Sequence, residues 1–166
     1  MSKSTPILRI VLFEPEIPPN TGNLIRLCAN TGLGLHLVEP LGFSMDTKAL
    51  RRAGLDYHES ASVQIHADFE TCVERLTAEN SHASQRLFAV TTKGSVPYVQ
   101  PEYQAGDVLI FGPETRGLPD AVLQDERMHQ NIRIPMIRGS RSLNLSNSAA
   151  ILSYEALRQL SFPDMN

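Results

Sequence analysis

Short apolar runs alternate along the chain with segments whose apolar residues recur at helical spacing. The runs are rich in β-branched residues and end near glycine or proline, a pattern that predicts buried strands. The predicted strands cover residues 7–13, 35–38, 61–65, 87–91, 107–111 and 132–135. The predicted helices run from 23 to a stop at 30–32, over 47–54, from a cap at 68 to about 76, over 119–123 and over 145–160. The proline-rich segment 14–22 is expected to form neither helix nor central strand, because proline fixes φ and lacks a donor.

This alternation of strands and helices is typical of βαβ units. It predicts an α/β fold with a mainly parallel sheet flanked by helices on both faces. The chain has 166 residues, a length that favours a single domain over 1–166. Such sheets bind ligands in the loops at the carboxyl ends of their strands, so a site is expected after Phe13, Thr91, Phe111 and Pro135.

Composition excludes several classes of protein. No apolar run approaches the roughly 20 residues that a membrane span needs, and the first residues lack the apolar region of a signal peptide. We therefore expect a cytoplasmic protein with no membrane partner. Cys28 and Cys72 lie in apolar, helix-like contexts, which predicts reduced core residues. A net charge of -3 argues against a uniformly basic nucleic-acid-binding surface but allows local basic clusters.

The common signatures of nucleotide, hydrolase and metal chemistry are missing from the sequence. Residues 111–117 contain no Gly-Lys-Ser/Thr and are not a Walker loop, and neither a dinucleotide fingerprint nor a Gly-x-Ser-x-Gly elbow occurs. The five histidines lack the spacing of metal ligands and are interpreted as surface or capping residues: His36, His58, His66, His82 and His129. No metal site is expected.

Two loop segments carry residues suited to an anion or a flat heterocycle. In 20–26 a glycine turn opens a helix that carries Arg26, so unpaired N–H groups and a forked donor would suit a phosphate. In 111–119 two glycines and two prolines fix an irregular backbone after a buried strand, with Glu114 and Arg116 at the turn. The simpler alternatives are a helix cap with a surface arginine in the first segment and a tight connection with solvated charges in the second.

A third segment, 134–147, concentrates hydroxyl and amide side chains at the start of the final helix. Helix capping accounts for one or two of them. It does not account for Ser142, Asn144, Ser146 and Asn147 together. This segment is therefore interpreted as part of a binding site.

The three segments, in this order, resemble the motifs of the SPOUT superfamily of methyltransferases, specifically its SpoU-type 2′-O-ribose branch. The resemblance rests on 20–32, 111–119 and 141–147 and extends over nearly the whole chain. Within that branch, 13–20 and 51–58 are similar to the enzymes that methylate cytidine(34) or a modified uridine(34). The resemblance therefore implies 2′-O-methylation of the wobble nucleotide in the anticodon loop of tRNA.

The resemblance also implies a fold and a cofactor. The C-terminal part would form a deep trefoil knot, and two copies would form an obligate homodimer. S-adenosylmethionine would bind in a bent form to the knot loops at the dimer interface and leave as S-adenosylhomocysteine. Carried over by position, the cofactor-binding residues are Val90, Thr91, Gly112, Ile134, Ser142 and Leu143.

The catalytic residues that the resemblance implies are Arg26, Asn20, Glu114 and Asn144. The ribose 2′-hydroxyl would attack the methyl carbon in line. Because a guanidinium stays protonated in proteins, Arg26 is expected to bind the adjacent phosphate and activate the hydroxyl rather than to take its proton. Asn20 and Glu114 would orient Arg26 or the substrate, and Asn144 with Ser142 would fix the cofactor.

The candidate RNA-binding residues are cations drawn from both subunits of the dimer: Lys3, Arg51, Arg52, Arg138 and Arg141. Tyr154 is a further candidate, with half-buried packing in the dimer as the alternative. Two other functions stay open: methylation of another tRNA or rRNA position, and a non-catalytic RNA-binding module on the same fold. A nucleotide hydrolase is disfavoured, because the sequence lacks a P-loop lysine and a pair of metal-binding acids.

Overall fold

The computed structural model describes residues 4–46, 48, 52 and 62–166. Within these residues the strands are β1 (Arg9–Phe13), β2 (Gly34–Val38), β3 (Val63–His66), β4 (Leu87–Val90), β5 (Val96–Pro97), β6 (Val108–Phe111) and β7 (Met128–Arg133). The helices are α1 (Pro18–Thr31), α2 (Phe69–Glu79), α3 (Asp120–Leu123) and α4 (Leu145–Gln159).

The described strands form one parallel sheet in the order β3-β2-β1-β6-β4-β7-β5. Successive residues of a strand point to opposite faces, so each central strand contributes to two cores. Ile10 and Leu12 of β1 pack in the core that includes residues of α1 and α4, whereas Val11 packs in the core that includes residues of α2 and α3. The predicted α/β fold, a parallel sheet with helices on both faces, is confirmed.

Helix α1 corrects one expectation about the proline-rich segment. It begins at Pro18, five residues before the predicted start at Asn23, with proline in its first turn. The first N–H groups of a helix have no partner within the helix, so a proline there loses no hydrogen bond and its fixed φ already suits the helix. The predicted stop is confirmed: Gly32 adopts a φ of 75° and its N–H donates to the carbonyl of Cys28 over 2.8 Å.

The other boundaries differ from the prediction in small ways. The cap of α2 is confirmed, since the Asp68 carboxylate accepts the N–H of Thr71 over 2.7 Å, but the helix continues to Glu79. Strand β7 overlaps the predicted 132–135 only at its last two residues. Strand β5 was not predicted. The predicted helix 47–54 falls outside the described residues except for Lys48 and Arg52, both of which are exposed.

Both cysteines are buried and free, as predicted. Among the described residues, no helix has the length and apolar character that crossing a membrane requires.

The surface-or-capping interpretation is wrong for two of the histidines. His36 and His66 are buried, on adjacent strands β2 and β3, and His36 Nδ1 lies 2.9 Å from His66 Nε2. His36 interrupts an apolar strand at a position whose side chain points into the core, which the one-dimensional spacing of histidines does not reveal. His82 contacts backbone carbonyls and His129 is exposed, as expected for surface or capping residues.

Candidate active site

A cavity of about 410 Å³ opens where the loops after β4, β6 and β7 meet the start of α4. Its volume lies within the roughly 300–1,000 Å³ range of small-ligand pockets. The three strands are neighbours in one parallel sheet, so their carboxyl ends fall on the same edge. The cavity therefore occupies the edge at which the sequence predicts a site.

The lining of the cavity includes every residue that the resemblance assigns to cofactor binding. These residues are Val90, Thr91, Gly112, Ile134, Ser142 and Leu143. The lining also includes three of the four candidate catalytic residues: Asn20, Glu114 and Asn144. Segments more than 100 positions apart in the sequence therefore meet at one cavity.

Two glycines shape the loop after β6. A Cβ on Gly112 would clash with the backbone nitrogen of Leu118, because the two ends of this loop approach too closely for any side chain. Gly117 has a φ of 70°, in the left-handed region that favours glycine, and a Cβ there would meet nothing within 4 Å. Gly112 is required for space, whereas Gly117 takes a backbone conformation that favours glycine and that asparagine also tolerates.

A directional chain of hydrogen bonds joins the three polar segments beside the cavity. The Glu114 carboxylate accepts the side-chain amide of Asn20 over 3.5 Å, and the side-chain oxygen of Asn20 accepts the amide of Asn144 over 3.0 Å. The side-chain oxygen of Asn144 in turn caps α4, accepting the backbone N–H groups of Ser146 and Asn147 over 2.9 and 3.3 Å. Asn20 is 5% exposed, so its amide orientation is fixed by these two partners.

Glu114 also holds the entrance to α1. Its two carboxylate oxygens accept the backbone N–H groups of Glu16 over 2.7 Å and of Ile17 over 3.1 Å. Both oxygens therefore already accept hydrogen bonds from the chain just before α1. Glu114 is suited to positioning α1 rather than to accepting a proton from a substrate.

A reciprocal contact, which the sequence analysis missed, connects the same two loops. The Glu16 carboxylate accepts the backbone N–H of Thr115 over 3.0 Å and its hydroxyl over 2.8 Å. These hydrogen bonds, the one from the backbone first, lower the pKa of Glu16 below its ordinary value. Close by, Arg116 pairs with Glu14 over 3.8 Å. In the sequence, this contact is indicated only by the acids of the proline-rich segment 14–22. The predicted topology places that segment at the same edge of the sheet as the loop after β6.

Arg26 is not among the residues that line the cavity. It is exposed on α1, six positions after Asn20, which is about 9 Å further along the helix axis and on a different side of it. The structure thus brings Asn20, Glu114 and Asn144 together with the candidate cofactor residues but places Arg26 on the outer surface of α1.

The candidate RNA-binding residues are exposed wherever the structure describes them. Arg138 and Arg141 lie in the loop between β7 and α4, Arg52 is exposed, and Tyr154 on α4 is 44% exposed. Lys3 and Arg51 lie outside the described residues.

The family model of the SpoU rRNA methylases matches residues 7–154 of this chain. The chain belongs to the SpoU rRNA methylase family. This SpoU family member is 58% identical over 156 residues to the tRNA (cytidine(34)-2′-O)-methyltransferase of Photorhabdus asymbiotica, covering 94% of this chain and 96% of the relative. It is also 58% identical over 157 residues to the enzyme of the same name from Escherichia coli K12, covering 95% and 96%.

Solved structures of similar proteins share the fold of this SpoU family member. A crystal structure from Bacillus anthracis matches with a TM-score of 0.85 at 41% identity, covering 96% of this chain and 98% of that one. A structure concerning the 2-OH methylation of C/U34 on tRNA matches with a TM-score of 0.81 at 41% identity, covering 93% and 96%. The SpoU methyltransferase AviRb from Streptomyces viridochromogenes, solved with AdoMet, has the same fold at 23% identity and a TM-score of 0.79, covering 96% of this chain and 60% of that one.

Proposed function

We propose that this protein transfers a methyl group from S-adenosylmethionine to the ribose 2′-hydroxyl of nucleotide 34, a cytidine or modified uridine, in tRNA anticodon loops. Relatives at 58% identity are named tRNA (cytidine(34)-2′-O)-methyltransferase, which supports the reaction and the position. The observation that carries the proposal is the convergence of the three polar segments on one cavity at the carboxyl edge of the sheet.

The residues around the cavity fit S-adenosylmethionine. Val90, Ile134 and Leu143 give the cavity apolar walls suited to a flat heterocycle, and the turn after Gly112 presents backbone groups to its edge. Thr91 and Ser142 add hydroxyl groups to the same lining. When bound, this cofactor supplies a methyl group on a sulfonium, and the residues of the chain position it.

In the proposed mechanism the chain mainly positions groups. Glu114 holds the start of α1, Asn20 connects Glu114 to Asn144, and Asn144 fixes the start of α4 beside the cofactor. Arg26, exposed on α1, binds the phosphate next to the target ribose and lowers the pKa of the 2′-hydroxyl by electrostatic attraction. Because a guanidinium stays protonated, the proton leaves to phosphate or water.

The active unit in this proposal is a homodimer of single-domain subunits, each with a C-terminal trefoil knot. Exposed apolar side chains surround the cavity and continue along α4, and they support an interface there: Ile17 is 41% exposed, Leu143 40%, Ile151 36% and Tyr154 44%. Burying these groups against a second copy would remove apolar surface from water and so stabilise the dimer. It would also cover the open side of the cavity.

The tRNA-binding surface in this proposal consists of Arg138 and Arg141 beside the cavity together with Arg52, Arg51 and Lys3 from the two subunits. Tyr154 would stack on a loop base or pack in the dimer. Neutralising phosphates releases counterions, so tRNA affinity should fall steeply as salt rises. An affinity that stays flat between low and moderate salt would contradict this assignment.

The experiment that tests the function uses purified protein, S-adenosylmethionine labelled in the methyl group, and bulk tRNA lacking ribose methylation. Nuclease mapping of the product should place the label on the ribose of nucleotide 34. Label at another fixed ribose would indicate a different target in RNA. Label on a base, or no label transferred, would overturn the proposed reaction.

A further inference from the structure

Three side chains that commonly bind metals meet in the core between the sheet and α2. His36 on β2, His66 on β3 and Cys72 on α2 place one ligating atom each within 4.8 Å of one another. Their exposed fractions are 2%, 6% and 0%. Cys72 belongs to the core that includes residues of α2 and α3, and none of the three residues lines the carboxyl-edge cavity.

The spacing of these atoms is close to that of a coordination sphere. Metal–nitrogen and metal–sulfur bonds of about 2.0 and 2.3 Å place neighbouring ligand atoms roughly 3.3–3.8 Å apart. His36 Nδ1 and His66 Nε2 are 2.9 Å apart, so they would separate by about half an ångström, and Cys72 would approach by up to about 1 Å.

The protonation states of both histidines already suit a ligand. Burial lowers the pKa of His36 to about 3, and burial also lowers the pKa of His66. Both imidazoles are therefore neutral at physiological pH, which is the form that binds metals. Burial raises the pKa of the Cys72 thiol to about 12, while the nearby Arg9 guanidinium acts in the opposite direction. A bound metal would supply the remaining stabilisation of the thiolate.

The charges around the cluster favour a cation of low charge. Arg9 is 1% exposed, and both Arg9 and Arg75 act on His36 as positive charges, opposed by Glu79. Glu79 is itself paired with Arg75 over 2.7 Å. A divalent ion with one thiolate would leave an extra positive charge buried beside Arg9, whereas a monovalent ion with one thiolate is neutral.

We propose that His36 Nδ1, His66 Nε2 and Cys72 Sγ form a three-coordinate site for a monovalent, thiophilic metal ion of the Cu(I) class. A thiolate with two imidazoles matches the ligand preference of such an ion. On binding, the Cys72 S–H bond is replaced by a metal–sulfur bond and its proton passes to solvent. The imidazole that donates in the His36–His66 contact moves its proton to its other ring nitrogen, so each histidine stays neutral. No electron is transferred. The site is independent of the methyltransferase function proposed above.

The test titrates the reduced protein anaerobically with Cu(I) held by a competing chelator. We expect one tightly bound Cu(I) per chain and an X-ray absorption spectrum that fits two nitrogen ligands and one sulfur ligand. Zn(II) in the same competition should bind much more weakly. Binding of Zn(II) as tight as that of Cu(I), or a copper environment without sulfur, would overturn the proposal.

The chain offers a matched control for the cysteine. Cys28 is also buried and free, but it packs in the other core, with α1 and α4. Cys72→Ala should lower the Cu(I) affinity by at least about 100-fold, more than substitution of a residue that contacts only the ligands would. Cys28→Ala should leave the Cu(I) affinity unchanged. His66→Gln should weaken binding while circular dichroism reports an intact fold. Equal affinities of the Cys72 and Cys28 variants would contradict the site, and the absorption spectrum of the unmodified protein tests it without any variant.

Discussion

Asn144 donates its side-chain amide to the side-chain oxygen of Asn20 over 3.0 Å, although 124 positions separate the two residues. The contact fixes the start of α4 against the first turns of α1 at the rim of the cavity. Asn20 donates its amide nitrogen to Glu114 and accepts from Asn144 at its oxygen, so both ends of its side-chain amide are engaged. Each of the three polar segments therefore depends on the orientation of the other two.

Asn144 has two separable roles, which two substitutions distinguish. Asn144→Ala removes both the α4 cap and the bond to Asn20, and should lower the free energy of unfolding by about 1 kcal/mol. Asn144→Asp keeps the capping oxygen but sets a carboxylate oxygen against the oxygen of Asn20, so any loss of stability in this variant comes from the contact with Asn20 and not from the cap. Both should weaken S-adenosylmethionine binding, measured by calorimetry. Unchanged cofactor affinity in the Asp variant would show that only the cap matters.

The Glu114 carboxylate is expected to contribute more to the free energy of unfolding than the Glu14 carboxylate does. In Glu114→Gln an NH2 group replaces one of the two carboxylate oxygens. Because that group donates and does not accept, the N–H of either Glu16 or Ile17 loses its acceptor. The free energy of unfolding should fall by about 1–3 kcal/mol, and turnover should fall with it. Urea denaturation measures the first and methyl transfer to tRNA the second.

The control for this variant is Glu14→Gln. Glu14 contacts Arg116 at 3.8 Å in a pair whose arginine side chain is 59% exposed, and such surface pairs contribute little. A loss of stability as large as that of Glu114→Gln would contradict the assigned role of Glu114.

Because Arg26 lies outside the cavity, its substitution is expected to lower turnover without changing the affinity for the cofactor. Arg26→Ala should leave S-adenosylmethionine affinity unchanged and lower kcat by about 100-fold or more, as expected when an electrostatic contact to the reacting group is removed. Arg26→Lys keeps the charge but loses the planar guanidinium that donates two hydrogen bonds to one phosphate, and should recover only part of the rate. Equal losses of cofactor affinity and turnover in the Ala variant would make Arg26 a structural residue.

Much of the fold could be predicted because its signals are local. The Asp68 cap and the Gly32 stop act through backbone groups a few residues away, and the apolar stripe of α4 is visible in its own sequence. Strand β5 is different: Val96 and Pro97 form a strand only because β7 lies beside them. A pairing partner more than 30 positions away leaves no mark on a two-residue segment.

The sequence indicates most of the segments that line the cavity but not the contacts that join them. The excess of amide and hydroxyl groups around Asn144 indicated a function before the contact with Asn20 was visible. The Glu16–Thr115 contact was missed, because which of several loop acids meets which amide depends on the relative position of two loops. His36 and His66 were misinterpreted for a similar reason, since adjacent strands place them together although 30 positions separate them.

The loop after β6 should tolerate substitution at one glycine and not at the other. In Gly112→Ala the new Cβ meets the backbone of Gly117 and Leu118, so the loop must move, at a cost of about 1–3 kcal/mol and with loss of cofactor affinity. Gly117→Asn places a residue that tolerates left-handed backbone where nothing of the chain lies within 4 Å, and should change the free energy of unfolding little. Thermal unfolding and calorimetry measure the two effects. Similar losses in both variants would contradict this account of the loop.

The contact between Glu16 and Thr115 should make part of the stability depend on pH. Hydrogen bonds from Thr115 hold the pKa of Glu16 below its ordinary value, so the folded state binds a proton at this carboxyl less readily than the unfolded chain does. The stabilisation is therefore complete above the ordinary glutamate pKa and is lost as the pH falls through the lowered pKa of the folded state.

Glu16→Gln should be less stable than the unmodified protein at pH 7, and the difference should shrink as the pH falls below about 4.5. Thr115→Val, which keeps the backbone N–H, should lose less stability than Glu16→Gln. Urea midpoints at pH 7, 5, 4 and 3 measure these differences, and a Glu16→Gln gap that stays constant with pH would contradict the role of the ionised carboxylate.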